Sequence, residues 1–119
     1  MPTINKSSMI ELTINKSFPL TNKHDFIDVV VSVSKQWGVY VESDSMVVPF
    51  DTPVVFEFDF YCRCMCDPPN VIASDGHKWV LKAMVASGML YDLYWKNVAG
   101  FIDTFHVDSN NPRVVVRVK

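Results

Sequence analysis

The sequence lacks the features that would place the chain at a membrane or mark it as a strong polyanion binder. No apolar run approaches the roughly 20 residues that a membrane-spanning helix needs. The N-terminus has no continuous apolar segment typical of signal peptides, so a cytoplasmic location is expected. An excess of basic residues is also absent, because 11 Lys and Arg stand against 13 Asp and Glu, a net charge of −2. This balance argues against tight DNA binding by a monomer, although a local patch or a dimer can supply the charge.

Cysteine is scarce and unusually placed. The three cysteines, Cys62, Cys64 and Cys66, occupy alternate positions and would share one face of a strand. A zinc site would need a fourth ligand, and no suitably spaced Cys or His is evident. The pattern therefore favours reduced thiols that pack in the core as small hydrophobic side chains over a metal site.

The residues that are present predict one domain. With 119 residues, 49% of them hydrophobic and 20% charged, the chain can build a single two-layer core. Residues 1–8 are interpreted as an N-terminal extension and residues 9–119 as the domain. The alternation in 10–14 predicts a first strand, and Thr21-Asn22 offers an N-cap for a helix over 23–37 that ends at Gly38. The run of valines inside 23–37 also suits a strand, and 39–53 is interpreted as a connection.

The clearest pattern lies in 54–66, where apolar and polar residues alternate. One face carries Phe56, Phe58, Phe60 and the cysteines, and the other carries Val55, Glu57, Asp59, Tyr61, Arg63, Met65 and Asp67. A helix over 75–87, with Asp75 at its start and Gly88 after its end, is predicted to cover the phenylalanine face. Strands over 98–107 and 113–119, joined by the turn 108–112, complete the order β-α-β-α-β-β. The prediction is an α+β domain with two helices and one mixed β-sheet in two layers.

The segment Cys66-Asp67-Pro68-Pro69-Asn70 and the region after it resemble a known family. The segment is similar to an Asp-Pro-Asp-Asn loop that follows a strand, Lys78 resembles a helix lysine, and Gly88 follows at the matching interval. Residues 89–96 resemble a segment that holds a later acidic pair, and 100–114 resemble the same proteins' C-terminal part. Together these features resemble the phage-type RusA Holliday-junction resolvases over more than half of the chain.

The resemblance implies a homodimeric, magnesium-dependent endonuclease that cuts branched DNA in the host cell of a phage or prophage. In such a site carboxylates converge on metal ions that hold the phosphate and activate water, while a lysine offsets developing charge. The matching positions imply catalytic roles for Asp67, Lys78 and Asp92, with Mg²⁺ on Asp67 and Asp92. Phosphate contacts would come from basic residues of the same region, namely Arg63, Lys78, Lys96, Arg113 and Arg117.

The acidic set departs from the family pattern at two positions. Pro69 stands where a second carboxylate is expected, and Leu93 replaces one member of the later pair, so weak or lost catalysis is expected. Glu57 and Asp59 lie on the predicted strand face of Asp67 and offer an alternative magnesium cluster, although a solvated outer face is the simpler interpretation. His77 and His106, isolated in sequence, favour ordinary surface or half-buried positions.

Three hypotheses about function remain open from the sequence, and enzymatic activity is undecided among them. The first is an active junction resolvase. The second is a catalytically inactive derivative whose acidic face binds a basic groove of a protein partner, such as a host nucleic-acid-targeting defence complex inhibited by a phage protein. The third is a structure-specific DNA-binding protein without cleavage.

Overall fold

A computed structural model describes residues 10–43, 53–65, 67–90 and 98–118 of the chain. The elements are β1 (Ile10–Ile14), α1 (Lys23–Ser43), β2 (Val54–Cys62), α2 (Pro69–Ala86), β3 (Val98–Val107) and β4 (Arg113–Val118). The predicted order β-α-β-α-β-β and the α+β class are confirmed. The proposed extension, residues 1–8, lies outside the described residues.

The four strands form one mixed sheet in the order β1-β4-β2-β3. β3 runs parallel to β2, whereas β4 runs antiparallel to both β2 and β1. β3 and β4 are neighbours in sequence but not in the sheet, because β2 lies between them. The turn 108–112 therefore crosses the end of β2, where the backbone N–H of Asp108 donates to the carbonyl of Cys62 over 2.8 Å.

The core lies between the helices and one face of the sheet. Phe56, Phe58 and Phe60 on β2 are fully buried, as are Val114 and Val116 on β4. The predicted alternation of β2 is confirmed, because its intervening residues are only half-buried. The other face of the sheet carries charged and polar side chains, as expected for a sheet with one face in the core and one face in solvent.

The start of α1 is capped as predicted. The side-chain oxygen of Asn22 accepts hydrogen bonds from the backbone N–H groups of His24 (2.9 Å) and Asp25 (3.2 Å). The Asp25 carboxylate accepts in return from the backbone N–H of Asn22, which completes a reciprocal capping box.

The end of α1 differs from the prediction. The helix passes through Gly38 and continues to Ser43, so the predicted stop at Gly38 and the connection over 39–43 are wrong. A glycine inside a helix costs about 1 kcal/mol relative to alanine. Contacts of the last turns offset this cost, since Tyr40 and Val41 pack against the core. Residues 44–52, the rest of the predicted connection, lie outside the described residues.

Side chains of α1 also cover the free edge of β1. The Gln36 amide accepts from the backbone N–H of Thr13 (2.8 Å) and donates to its carbonyl (2.7 Å). One turn later the Tyr40 hydroxyl accepts from the N–H of Glu11 and donates to its carbonyl, both over 3.1 Å. The outward backbone groups of β1 are therefore already hydrogen-bonded within the chain.

Helix α2 begins at Pro69, earlier than the predicted Asp75. Pro68 is extended (φ −62°, ψ 142°) and Pro69 takes the first helical position, where its fixed φ and missing N–H cost nothing. The interpretation of Asp75 as an N-cap is therefore wrong. The carboxylate of Asp75 instead accepts from the backbone N–H of Leu20 (2.7 Å) and from the indole of Trp79 (3.0 Å). It links α2 to the segment before α1.

The end of α2 agrees with the prediction. Gly88 follows it with φ of +80°, a conformation that only glycine adopts readily. The N–H of Gly88 donates to Val85 and that of Met89 to Met84, the two bonds of a Schellman motif. The Met89 side chain is fully buried and supplies the hydrophobic contact of this motif.

Strand β2 stops at Cys62 and not at Cys66. Its pairing with β4 ends at Tyr61 and its pairing with β3 ends at Cys62, so the chain beyond has no partner strand. The predicted row of reduced core thiols is consequently wrong at Cys64, which is exposed and disulfide-bonded. Cys62 is a half-buried free thiol, and burial together with the charge of Asp67 raises its pKa. Cys66 lies outside the described residues.

Neither of the two described helices is long and apolar enough to span a bilayer.

Candidate functional site

Three connecting segments meet at one end of the sheet. The parallel strands β2 and β3 end there, β1 ends there, and β4 begins there, as the pairs Ile14–Val114, Tyr61–Arg113 and Cys62–Val107 establish. The segments enclose a polar cleft with a volume of about 720 Å³. Its polar lining comes chiefly from Lys16, Arg63, Asp67, Asn110 and Asn111. Open α/β sheets commonly bind ligands at the carboxyl ends of their parallel strands.

Asp67 stands at the centre of this end of the molecule. Its side chain is exposed, and it precedes the first turn of α2, where the helix dipole favours a negative charge. Asp67 lines the polar cleft and also a second, more apolar groove of about 570 Å³ on its other side. Within the described ranges it makes no hydrogen bond or ion pair, so its carboxylate is accessible from both.

The two cations of the polar cleft differ in their availability. The Lys16 ammonium is 2.6 Å from a carboxylate oxygen of Asp28 and 3.3 Å from one of Asp25. The hydrogen bond with Asp28 is the chief reason why the pKa of Lys16 is raised. Arg63 is exposed and forms no ion pair with any residue that the structure describes. Of the two, Arg63 is the cation that an incoming anion can bind without displacing a carboxylate.

On the outer face of the sheet Asp59 lies in a cluster of hydrogen bonds and ion pairs with His106, Arg117 and Glu11. One Asp59 oxygen lies 2.9 Å from Nε2 of His106, and the other accepts a hydrogen bond from Arg117. Arg117 also lies 3.3 Å from Glu11. Burial raises the pKa of Asp59, but the hydrogen bonds from Arg117 and His106 outweigh burial, and the net effect lowers it. Asp59 is therefore an ionised carboxylate with both oxygens engaged.

Arg113 is likewise held by its own chain. Its guanidinium donates to Asp108 (2.9 Å) and to the carbonyl of Asn111 (2.9 Å), and it lies 3.8 Å above the ring of Tyr61. The hydrogen bond from Arg113 lowers the pKa of Asp108. Of the residues predicted to contact phosphate, Arg113 and Arg117 are thus paired with carboxylates, and Arg63 is not. Lys96 lies outside the described residues.

The structure does not bring Lys78 next to Asp67. Lys78 is nine residues after Pro69, which places it about 14 Å along the axis of α2 from the helix start. Its ammonium lies 4.6 Å from the ring centroid of Trp79, and it lines neither the polar cleft nor the apolar groove. Asp92, the third residue with a predicted catalytic role, lies outside the described residues.

The described part of the chain contains only one of the two predicted magnesium ligands, Asp67, because Asp92 lies outside it. Mg²⁺ is held by one or more carboxylates in an octahedral set of oxygens, and no cluster of three or more His, Cys, Asp or Glu residues occurs there. Asp25 also lines the cleft of Asp67, but its carboxylate is paired with Lys16. His106 and Arg117 engage both oxygens of Asp59. Asp59 therefore has no free oxygen with which to bind a metal ion in the alternative cluster with Glu57.

Two pairs of residues could not be recognised from sequence. His77 and Asp103, 26 positions apart, are joined over 2.8 Å, and the His77 ring stacks on Phe101 with the centroids 3.9 Å apart. His106 and Asp59 are joined in the same way across β3 and β2. The histidines looked isolated because their partners lie on strands that only the sheet order makes adjacent. The asparagines of the turn were predicted as turn formers, and no sequence signal marked them as part of a cleft.

No family model matches this chain, and no curated protein matches it either.

Proposed function

We propose that this chain is a RusA-like protein that binds branched DNA through the polar cleft and cleaves it weakly or not at all. The observation that carries the proposal is Arg63, an exposed cation that lines the polar cleft and has no ion-pair partner among the described residues. Arginine binds phosphate with two parallel hydrogen bonds. The amide groups of Asn110 and Asn111 provide further neutral donors.

The charges of the same cleft predict a modest affinity for DNA. Asp67 shares the cleft with Arg63, and a carboxylate repels an approaching phosphate. Arg113 and Arg117 are held by carboxylates, so they add little net positive charge. A small number of phosphate contacts should give a shallow dependence of affinity on salt. A homodimer, as the resemblance implies, would double the number of contacts on a four-way junction in the host cytoplasm.

Weak catalysis is expected because the cleft has few free carboxylates to hold metal ions. In-line attack on a phosphodiester needs metal ions held by several acids, and Asp67 is the sole described carboxylate of the cleft that is not already paired. A magnesium site would therefore depend on Asp92. Lys78 would have to leave Trp79 and extend toward the start of α2 to reach the same phosphate.

Binding is tested by titrating a labelled four-way junction and a matched linear duplex with the protein at two salt concentrations. We expect preference for the junction and a loss of about tenfold or more for Arg63→Ala, since a hydrogen bond to a charged group is worth about 1.5–3 kcal/mol. Lys35→Ala is the matched control, because it removes one exposed positive charge from α1, away from the cleft. Equal affinity of Arg63→Ala and wild type for the junction would refute the proposal that the polar cleft binds DNA.

Cleavage is tested on the same junction with Mg²⁺ or Mn²⁺, comparing wild type with Asp67→Asn. We expect little or no nicking from either protein, while both still bind the junction. Efficient metal-dependent nicking by wild type that Asp67→Asn abolishes would establish an active resolvase instead. Binding by Asp67→Asn should be tighter than wild type because a charge that repels phosphate is gone.

A second candidate function is a catalytically inactive derivative that binds a host protein, for example as a phage inhibitor of a nucleic-acid-targeting defence complex. The acidic face with Glu57 and Asp59 supports this candidate less strongly than the sequence indicated, because Arg117 and His106 engage both oxygens of Asp59. The exposed apolar side chains of β3 favour a protein contact instead. Capture of one specific host complex, together with failure to bind any junction, would favour this candidate.

A further inference from the structure

We propose that Lys16 is a second phosphate-binding residue of the polar cleft, and that its ion pair with Asp28 keeps it from binding phosphate. Asp28 would then limit the affinity of the cleft from a position outside it. The inference rests on the proposed function, because both concern phosphate in the same cleft. It adds an autoinhibitory contact between α1 and the segment that follows β1.

Lys16 belongs to the wall of the cleft. It follows the end of β1, where its backbone N–H donates to the carbonyl of Ile14 over 2.9 Å and so fixes the origin of its side chain. Arg63 lines the same cleft. A phosphodiester strand that enters the cleft can therefore approach both cations. Without competing carboxylates, two cations would bind a chain of phosphates more tightly than one.

Two carboxylates of α1 hold the Lys16 ammonium. An oxygen of Asp28 lies 2.6 Å from it, and an oxygen of Asp25 lies 3.3 Å from it. One positive charge thus stands beside two negative charges, so the three side chains together carry a net negative charge. A phosphate that approaches Lys16 is repelled unless a carboxylate is displaced or removed.

The two carboxylates differ in what else they do. Asp25 also accepts hydrogen bonds from the hydroxyl of Thr21 (3.0 Å) and from the backbone N–H of Asn22 (3.3 Å), so it is needed for the start of α1. Asp28 lies one turn later, outside the cap and outside the lining of the cleft. Among the ion pairs of the described residues it occurs only with Lys16. Asp28 can therefore be changed without removing the helix cap.

The ion pair is weak enough for phosphate to compete with it. The Asp28 side chain is 58% exposed, and water and salt weaken ion pairs at such positions. Lysine stays protonated at neutral pH when its partner is lost. A phosphate oxygen can replace the carboxylate oxygen as the charged acceptor of its hydrogen bond. We therefore expect Lys16 to exchange between Asp28 and a bound phosphate.

The test compares the binding of a labelled four-way junction by wild type and Asp28→Asn at several salt concentrations. The amide keeps the size of the side chain but removes its charge. We expect Asp28→Asn to bind the junction about fivefold more tightly, the factor that corresponds to the loss of one exposed ion pair. The plot of log affinity against log salt should become steeper by about 0.9, as expected for one added phosphate contact.

Two controls separate the release of Lys16 from a general change in charge. Glu42→Gln removes one negative charge from an exposed position on the same helix, about 21 Å farther along its axis. It should change neither affinity nor salt dependence by a comparable amount. In a Lys16→Gln background, Asp28→Asn should lose most of its gain, because no ammonium remains to be released. Circular dichroism of each variant checks that it is folded.

The outcomes distinguish this inference from the proposed function. Junction binding that Arg63→Ala weakens, together with a gain from Asp28→Asn that is no larger than that of Glu42→Gln or that persists in the Lys16→Gln background, would overturn the inference alone. If no variant binds the junction, the proposed function is refuted, and calorimetric titration with inorganic pyrophosphate decides the inference. Tighter pyrophosphate binding by Asp28→Asn that requires Lys16 would support it, and equal or undetectable binding by all variants would overturn it.

Discussion

The contact between Gly76 and Phe60 offers the sharpest test of the packing. Gly76 lies inside α2 and is fully buried, and a Cβ at this position would lie 2.4 Å from Cε1 and 2.6 Å from Cζ of Phe60. Carbon atoms in contact are normally about 3.5–4.0 Å apart. The Phe60 ring cannot easily yield, because it is stacked between Phe58 (5.5 Å) and Phe105 (5.4 Å). We infer that Gly76 is required so that α2 can approach the sheet.

Gly76→Ala should therefore lower stability although alanine is the better helix former. The substitution gains about 1 kcal/mol of helix propensity, whereas overpacking a core typically costs about 1–3 kcal/mol and occasionally more. We expect the free energy of unfolding to fall by about 1–2 kcal/mol. Gly38→Ala is the matched control, since Gly38 is also inside a helix but a Cβ there meets nothing within 4 Å. It should gain about 0.5–1 kcal/mol.

The assay is urea denaturation followed by circular dichroism, with wild type, Gly76→Ala, Gly38→Ala, Phe60→Leu and the double variant Gly76→Ala/Phe60→Leu. The smaller, flexible leucine should relieve the clash, so adding Gly76→Ala to a Phe60→Leu background should cost much less than adding it to wild type. If Gly76→Ala stabilised the protein as much as Gly38→Ala does, the inferred close approach of α2 and β2 would be refuted.

Two further predictions concern polar groups. Asp75→Ala should destabilise the protein by about 1–3 kcal/mol, because it leaves the half-buried Leu20 N–H and Trp79 indole without their acceptor. The control Asp28→Ala, at an exposed position, should change the denaturation midpoint much less. Equal effects of the two substitutions would contradict the structural role of Asp75. Asp59 should stabilise the fold at pH values above its ordinary pKa and lose that contribution as the pH falls from about 4 through its lowered folded pKa. The difference in unfolding free energy between wild type and Asp59→Asn should accordingly shrink in acid, and a difference that stays constant from pH 7 to pH 2.5 would contradict the ion pairs with Arg117 and His106.

Local sequence patterns determined most of the secondary structure. Strict alternation in 54–62 identified β2 with its buried face, because successive strand residues point to opposite sides. The Asn22 cap and the Gly88 stop depend on hydrogen bonds within a few residues and were predicted correctly. The resemblance of 66–114 directed attention to Asp67, which does lie exposed at the carboxyl end of β2.

The tertiary structure decided what local patterns could not. Helix α1 passes Gly38 because Tyr40 reaches the edge of β1, and β2 ends at Cys62 because β3 and β4 end beside it. The sheet order, which separates β3 from β4, brings Asp59 to Arg117 and His106, so that both oxygens of this carboxylate are engaged. Pairing partners far apart in sequence leave no periodic signal, since their proximity arises only when the strands assemble. The same assembly places Arg63 in a cleft, without an ion-pair partner among the described residues, and the proposed DNA binding depends on this feature.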